Sequence, residues 1–132
     1  MREIKFRGKQ RDGGEWLMGD LLQAKTPSGR QQCWIFHDIH GNNEVDPATV
    51  GQFTGLKDKN GRKIYEGDVV KTTSIMDEVI VGDVVWDENS FLYAVDIGCE
   101  LMEFHNIIHT EKMVEVIGNV HENPELLHDT QS

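Results

Sequence analysis

The chain has 132 residues, 38% hydrophobic and 27% charged, with a net charge of −10. That length suits one domain or two small lobes sharing a core, and that apolar content excludes a chain disordered throughout. No run of about 18 apolar residues is present, which excludes a helical membrane span. Met1–Lys9 is charged throughout, without the apolar stretch of a secretory leader, so the expected compartment is the cytosol.

In chain order the pattern is one of short alternating runs. Ile4–Arg7 alternates apolar and basic residues, as a half-buried strand does. Asp12-Gly13-Gly14 reads as a turn, since glycine accepts positive φ without steric cost, and Glu15–Leu22 returns as the second strand of a hairpin. Thr26–Gly29 is the next turn. Gln32–Phe36 is a third strand, with Trp34 and Phe36 on one face. His37–Glu44 is polar and reads as a loop. Asp46-Pro47 is a helix-start signal, good for about one turn before Gly51. Phe53 and Ile64-Tyr65 flank a turn at Asp58–Gly61, where Asn60-Gly61 is a strong hairpin step. Val69–Thr72, Val79–Trp86, Phe91–Ile97 and Val114–Val120 are further strands. Leu101–Ile108 fits a short helix or a strand end. Asn123–Leu127 reads as one capped helical turn, followed by a frayed tail. Trp16, Trp34 and Trp86 all fall on strand-like runs and are expected in the core.

Such a succession predicts an all-β fold. The expected arrangement is an N-terminal β-hairpin lobe, residues 1–62, packed on a C-terminal SH3-like small β-barrel, residues 63–132. The barrel strands run from Gly67 to Val120.

Charge is unevenly spread. Met1–Lys63 has a net charge of +3 and Ile64–Ser132 one of −13. An acidic half with only Lys71 and Lys112 as cations argues against nucleic-acid binding through that half. The asymmetry also predicts attraction between the halves of one chain, or between the halves of neighbouring subunits, which would give a homo-oligomer. The two cysteines, Cys33 and Cys99, match no zinc or redox spacing and read as reduced thiols in or near the core.

The stretch Gly51–Lys71, GQFTGLKDKNGRKIYEGDVVK, is the most informative. It joins a polar, glycine-punctuated turn to a Gly67-Asp68 step that opens an apolar run. On this stretch the chain resembles the YopX family of small phage and prophage proteins. The opening Ile4–Lys9, the hairpin residues Gly14-Glu15-Trp16 with Gly19, the central block Val50–Val70 and the closing block Val116–Leu127 resemble that family in the same order. The least family-like parts are Lys25–Glu44 and Ile75–His109. The resemblance implies a β-rich fold and a bacterial host cell. It brings no established activity, so no catalytic residues carry over.

Three constellations of residues bear on chemistry. His37 and His40 are three residues apart, and His105 and His109 four apart; two such pairs with a carboxylate would suit zinc, but no HExxH pattern accompanies them. Asp77-Glu78, Asp87-Glu88 and Glu66 with Asp68 are acid pairs placed in turns and strand ends, where they read as solubilising. No GxSxG, P-loop or GxGxxG motif occurs. The central motif offers a surface instead. Lys57, Lys59, Arg62 and Lys63 cluster beside Tyr65, and with Asp58 and Asn60 they are the candidate binding residues. Gly51, Thr54, Gly55, Gly61, Glu66, Gly67 and Asp68 are the candidate structural residues of the same motif. A basic hairpin with an aromatic neighbour suits phosphate or a base, or the acidic half of another subunit; alternatively Asp58, Asn60 and Gly61 only shape the turn.

The function expected from the sequence is a non-catalytic accessory protein that binds a host or phage macromolecule, with no cofactor and no metal. The alternatives are an acidic nucleic-acid mimic, whose face would include Asp83, Asp87 and Glu88; a metal-dependent enzyme using the histidine pairs; and an oligomeric structural component.

Overall fold

In the computed structural model the described residues are 4–11, 14–36, 42–73, 78–89, 92–97, 101–103 and 113–128. Among them nearly all regular structure is β, as expected. The chain divides into two compact units, Met1–Phe53 and Thr54–Ser132.

The first unit contains β1 (Phe6–Lys9), β2 (Trp16–Lys25), β3 (Gln31–Phe36), β4 (Asn42–Val45) and the start of β5 (Gly51–Lys57). They pair antiparallel in the order β4-β3-β2-β1-β5. Thr26 closes the β2–β3 turn: its Oγ1 accepts from the Arg30 N–H at 2.9 Å, and its carbonyl accepts from Gly29, which sits at φ 90°. β-Alternation puts Cys33, Ile35 and Val45 on one face, where they form a buried cluster with Phe6, Leu17, Leu21 and Val50. Gly8 is required there, because a Cβ would lie 2.7 Å from Val45 Cγ2. A 3-10 turn, Pro47–Thr49, follows Asp46, whose Oδ1 accepts from the Ala48 N–H at 3.0 Å.

Two expectations are corrected here. Asn42–Glu44, expected in a loop from its polar sequence, belongs to the strand Asn42–Val45, because pairing with β3 overrides the turn preference of asparagine. The tryptophans do not make the core: Trp16 and Trp34 are half-buried and Trp86 is 42% exposed, while small β-branched residues fill the interior.

The second unit contains the rest of β5, β6 (Lys63–Tyr65), β7 (Asp68–Thr73), β8 (Val79–Asp87), β9 (Leu92–Asp96), β10 (Leu101–Glu103), β11 (Glu115–Asn119) and the short helix α1 (Glu125–His128). β6 neighbours β5. The other strands form an antiparallel sheet in the order β10-β9-β8-β7-β11. Its core is Ile64, Val70, Val84, Val95, Val114 and Val116, with Leu56, Tyr93 and Ile97 packed against them. Gly82 lets β8 and β9 approach; a Cβ there would sit 2.7 Å from Val95 Cγ1. Between Val116 and Gly118 the β11–β7 register shifts by a bulge. Of the ambiguous stretch Leu101–Ile108, residues 101–103 are strand and the remainder lies outside the described residues.

The division falls within β5, after Phe53, and the tip of the β5–β6 hairpin is tied by hydrogen bonds to Val114 and Val116 of the second unit. No helix among the described residues is long and apolar enough to cross a membrane.

Candidate functional site

The central motif is a hairpin whose interior is built before its surface. Thr54 Oγ1 donates to the Ile64 carbonyl at 2.8 Å and accepts from the Leu56 N–H at 3.2 Å, joining the two strands below the tip. Gly55 at φ 91° and Gly61 at φ 79° occupy the left-handed region that side chains avoid. Gly51 is buried opposite Arg7 on β1.

Asp58 organises the tip. It is 2% exposed. Its Oδ1 accepts from the N–H of Asn60 at 2.9 Å and of Arg62 at 2.8 Å, and its Oδ2 accepts from the N–H of Val116 at 2.9 Å. Burial by itself would raise the pKa of this carboxyl. The three N–H donors, Val116 foremost, together with the Arg62 charge, outweigh burial and hold it below its ordinary value. The Lys59 N–H donates to the Val114 carbonyl at 2.8 Å, and Lys59 Nζ pairs with Glu115 at 3.2 Å. The tip therefore lies along β11 and covers that strand's edge.

After the hairpin, Asp68 (2% exposed) turns the chain into β7, its Oδ2 accepting from the Tyr65 N–H at 2.8 Å. Gly67, at φ 87°, donates to the Val84 carbonyl and accepts from the Val120 N–H, both at 2.9 Å. Glu66 is half-buried.

The candidate binding residues are thus sorted by position. Lys57, Lys59, Asn60 and Arg62 are exposed, Lys63 is half-buried, and Asp58 and Tyr65 are inside. Tyr65, at 4% exposure, is a core ring and offers no face to a stacked base. The sequence missed Val114, Glu115 and Val116, the far ends of the hairpin's bonds. Local spacing carries no signal for partners nearly sixty residues away.

Other candidates can be placed as well. His37, His40, His105 and His109 lie outside the described residues, as do Asp77 and Cys99. Among the described residues no three of His, Cys, Asp and Glu are grouped to hold a metal ion. Cys33 is a buried free thiol. Asp87 Oδ1 accepts from the Asn89 N–H at 3.0 Å and shapes the β8–β9 turn. Asp83 stands directly opposite Asp96 across β8 and β9; burial first, and then the Asp96 charge, push its pKa up.

The structure is thus two mainly β units, with a turn whose backbone N–H groups are bound by a buried carboxylate and whose Lys57, Lys59 and Arg62 are exposed. The chain belongs to the YopX family: the family model described as YopX protein matches residues 5–128. Two solved structures share the fold. Protein EF1440 from Enterococcus faecalis is 23% identical with a TM-score of 0.54, covering 96% of this chain and 99% of its own. Protein yopX from Bacillus subtilis is 22% identical with a TM-score of 0.55, covering 96% and 97%. No curated protein matches the chain.

Proposed function

We propose that this protein is a non-catalytic binding module of phage or prophage type. In this reading it works in the bacterial cytoplasm and holds a host or phage macromolecule against the tip of the central hairpin. The five-stranded second unit is read as an SH3-like barrel that serves as the rigid base of that tip.

The observation that carries the reading is the contrast within Lys57–Arg62. Two backbone N–H groups of the turn bond to a buried carboxylate that is itself tied to Val116, while Lys57, Lys59 and Arg62 are exposed around it. A turn ordered before contact loses little entropy on binding, which favours affinity. Charge is its means of recognition, since the neighbouring ring is buried.

The test compares tagged wild type with a Lys57→Glu/Arg62→Glu variant in affinity capture from bacterial lysate, with and without nuclease. Both side chains are exposed, but the Arg62 charge also favours the Asp58 carboxylate, so the melting temperature of the pair is measured beside that of Lys57→Glu alone, which is expected to hold within about 2 °C. Capture of a discrete macromolecule by wild type, reduced at least tenfold in the variant, is the expected result. Equal capture by both proteins overturns the hairpin as the contact surface. Loss on nuclease treatment identifies the macromolecule as nucleic acid.

A further inference from the structure

The second unit carries exposed basic and acidic groups at separate places. The basic tip is level with Val114, just before β11, and with Val116 on it. Val116 pairs with Val70, and Val70 with Gly82, so the tip stands near Gly82 in the register of β8. From there β8 runs on to Asp87, about five residues or roughly 17 Å further at 3.3 Å per residue. The turn that follows holds Asp87 and Glu88, the latter exposed.

Beside those acids stands Trp86. Its ring continues the core-facing row of β8 two residues past Val84, so it extends the interior outward and is 42% exposed. Tyr93, its cross-strand partner, meets it edge to face with ring centroids 4.9 Å apart and fixes its orientation. An oriented, accessible tryptophan flanked by carboxylates is chemically suited to a guanidinium or ammonium group, through cation–π attraction and charge pairing together.

We propose that the hairpin's partner is a second copy of this chain: Lys57 and Arg62 of one molecule dock on Trp86, Asp87 and Glu88 of the next. The two surfaces are complementary in charge. They are also separated along the sheet, so one molecule does not satisfy both by folding on itself. The contact is head-to-tail, which propagates from copy to copy unless its rotation closes a ring. This proposal rests on reading the hairpin as a contact surface.

The experiment is sedimentation velocity of the full chain at 10–500 μM, in roughly 20 mM and 500 mM salt. Three proteins are used: wild type, Lys57→Glu/Arg62→Glu, and Trp86→Ala. An Asp87→Asn/Glu88→Lys variant replaces Trp86→Ala if that substitution lowers the melting temperature. Wild type is expected to grow with concentration at low salt and to lose at least tenfold in association constant at high salt. Each variant alone is expected to stay monomeric. An equimolar mixture of the hairpin variant and the tryptophan variant retains one good contact and is expected to stop at a dimer. A wild type that is monomeric throughout, or variants that associate as wild type does, overturns the proposal. If wild type is monomeric but lysate capture is still lost in the hairpin variant, the contact-surface reading stands and only the self-partner falls. If neither assay responds to the hairpin substitutions, both fall.

Discussion

Asp58 shows how one carboxylate can serve both a turn and a distant strand. Two of its acceptor bonds are local and one reaches Val116. Asp58→Asn removes the charge and presents an amide N–H₂ where only acceptors fit. It is expected to cost about 2–3 kcal/mol, read by urea denaturation at pH 7. The pH dependence has a definite sign. The folded-state pKa is below the unfolded one, so the carboxylate's contribution is full above the unfolded value, near 4, and fades as pH falls through the folded value. Wild type and Asp58→Asn should therefore converge in stability toward pH 2. A difference unchanged by acid would show that the charge is not what the site uses. The local half of this arrangement was legible: an Asp three residues before a glycine in a hairpin step is a turn former. The bond to Val116 was not, because it depends on register across the fold.

Among elements, the β8–β9 pair holds the clearest tension. Asp83 and Asp96 face each other across the ladder, with Asp83 pushed toward its neutral form by burial and then by Asp96. Like charges directly opposite are destabilising by roughly 0.2–1 kcal/mol. Asp83→Asn should raise the thermal midpoint by that equivalent at pH 7. Here the sign is the reverse of Asp58. The raised folded pKa means the penalty is present above it and absent below the unfolded value, so the gain should vanish below about pH 4. A gain persisting at pH 3 would contradict the assignment. Most strands were readable from alternation, β7, β8 and β11 to within a residue or two. β4 was not, because Asn42 and Asn43 are turn-type residues held in a strand by β3. Nor was the core composition: ring size suggested tryptophan, whereas closely approached strands, such as those at Gly82, leave room for valine and isoleucine.

On the scale of the molecule, the net charge falls wholly within one structural unit. Residues 1–53 are neutral and residues 54–132 carry the whole net charge of −10. Self-repulsion of that size strains a folded unit and is screened by salt. At micromolar concentration the melting temperature should rise between about 20 and 300 mM sodium chloride, by a few degrees. A flat or falling response would mean that local pairs such as Lys59–Glu115 dominate instead. The expected boundary after residue 62 keeps the hairpin turn with the first lobe. Hydrogen bonds tie its tip to Val114 and Val116, and composition holds no record of them.

The bond from Asp58 to Val116 has a consequence for how such a chain can diverge. β7 and β11 lie side by side with the hairpin tip along the latter, so the segment between them leaves and re-enters the fold at two adjacent, fastened points. Closing a loop costs little more when the loop is longer. A longer or shorter turn between β8 and β9 leaves the fastening unchanged, whereas β8 and β9 themselves supply Val84 and Val95 to the core. Of the two stretches expected to be least family-like, Lys25–Glu44 and Ile75–His109, the second lies within that bracket. The hairpin is thus a buckle: it keeps both ends of that segment in place, so a change in the turns between them does not loosen the unit.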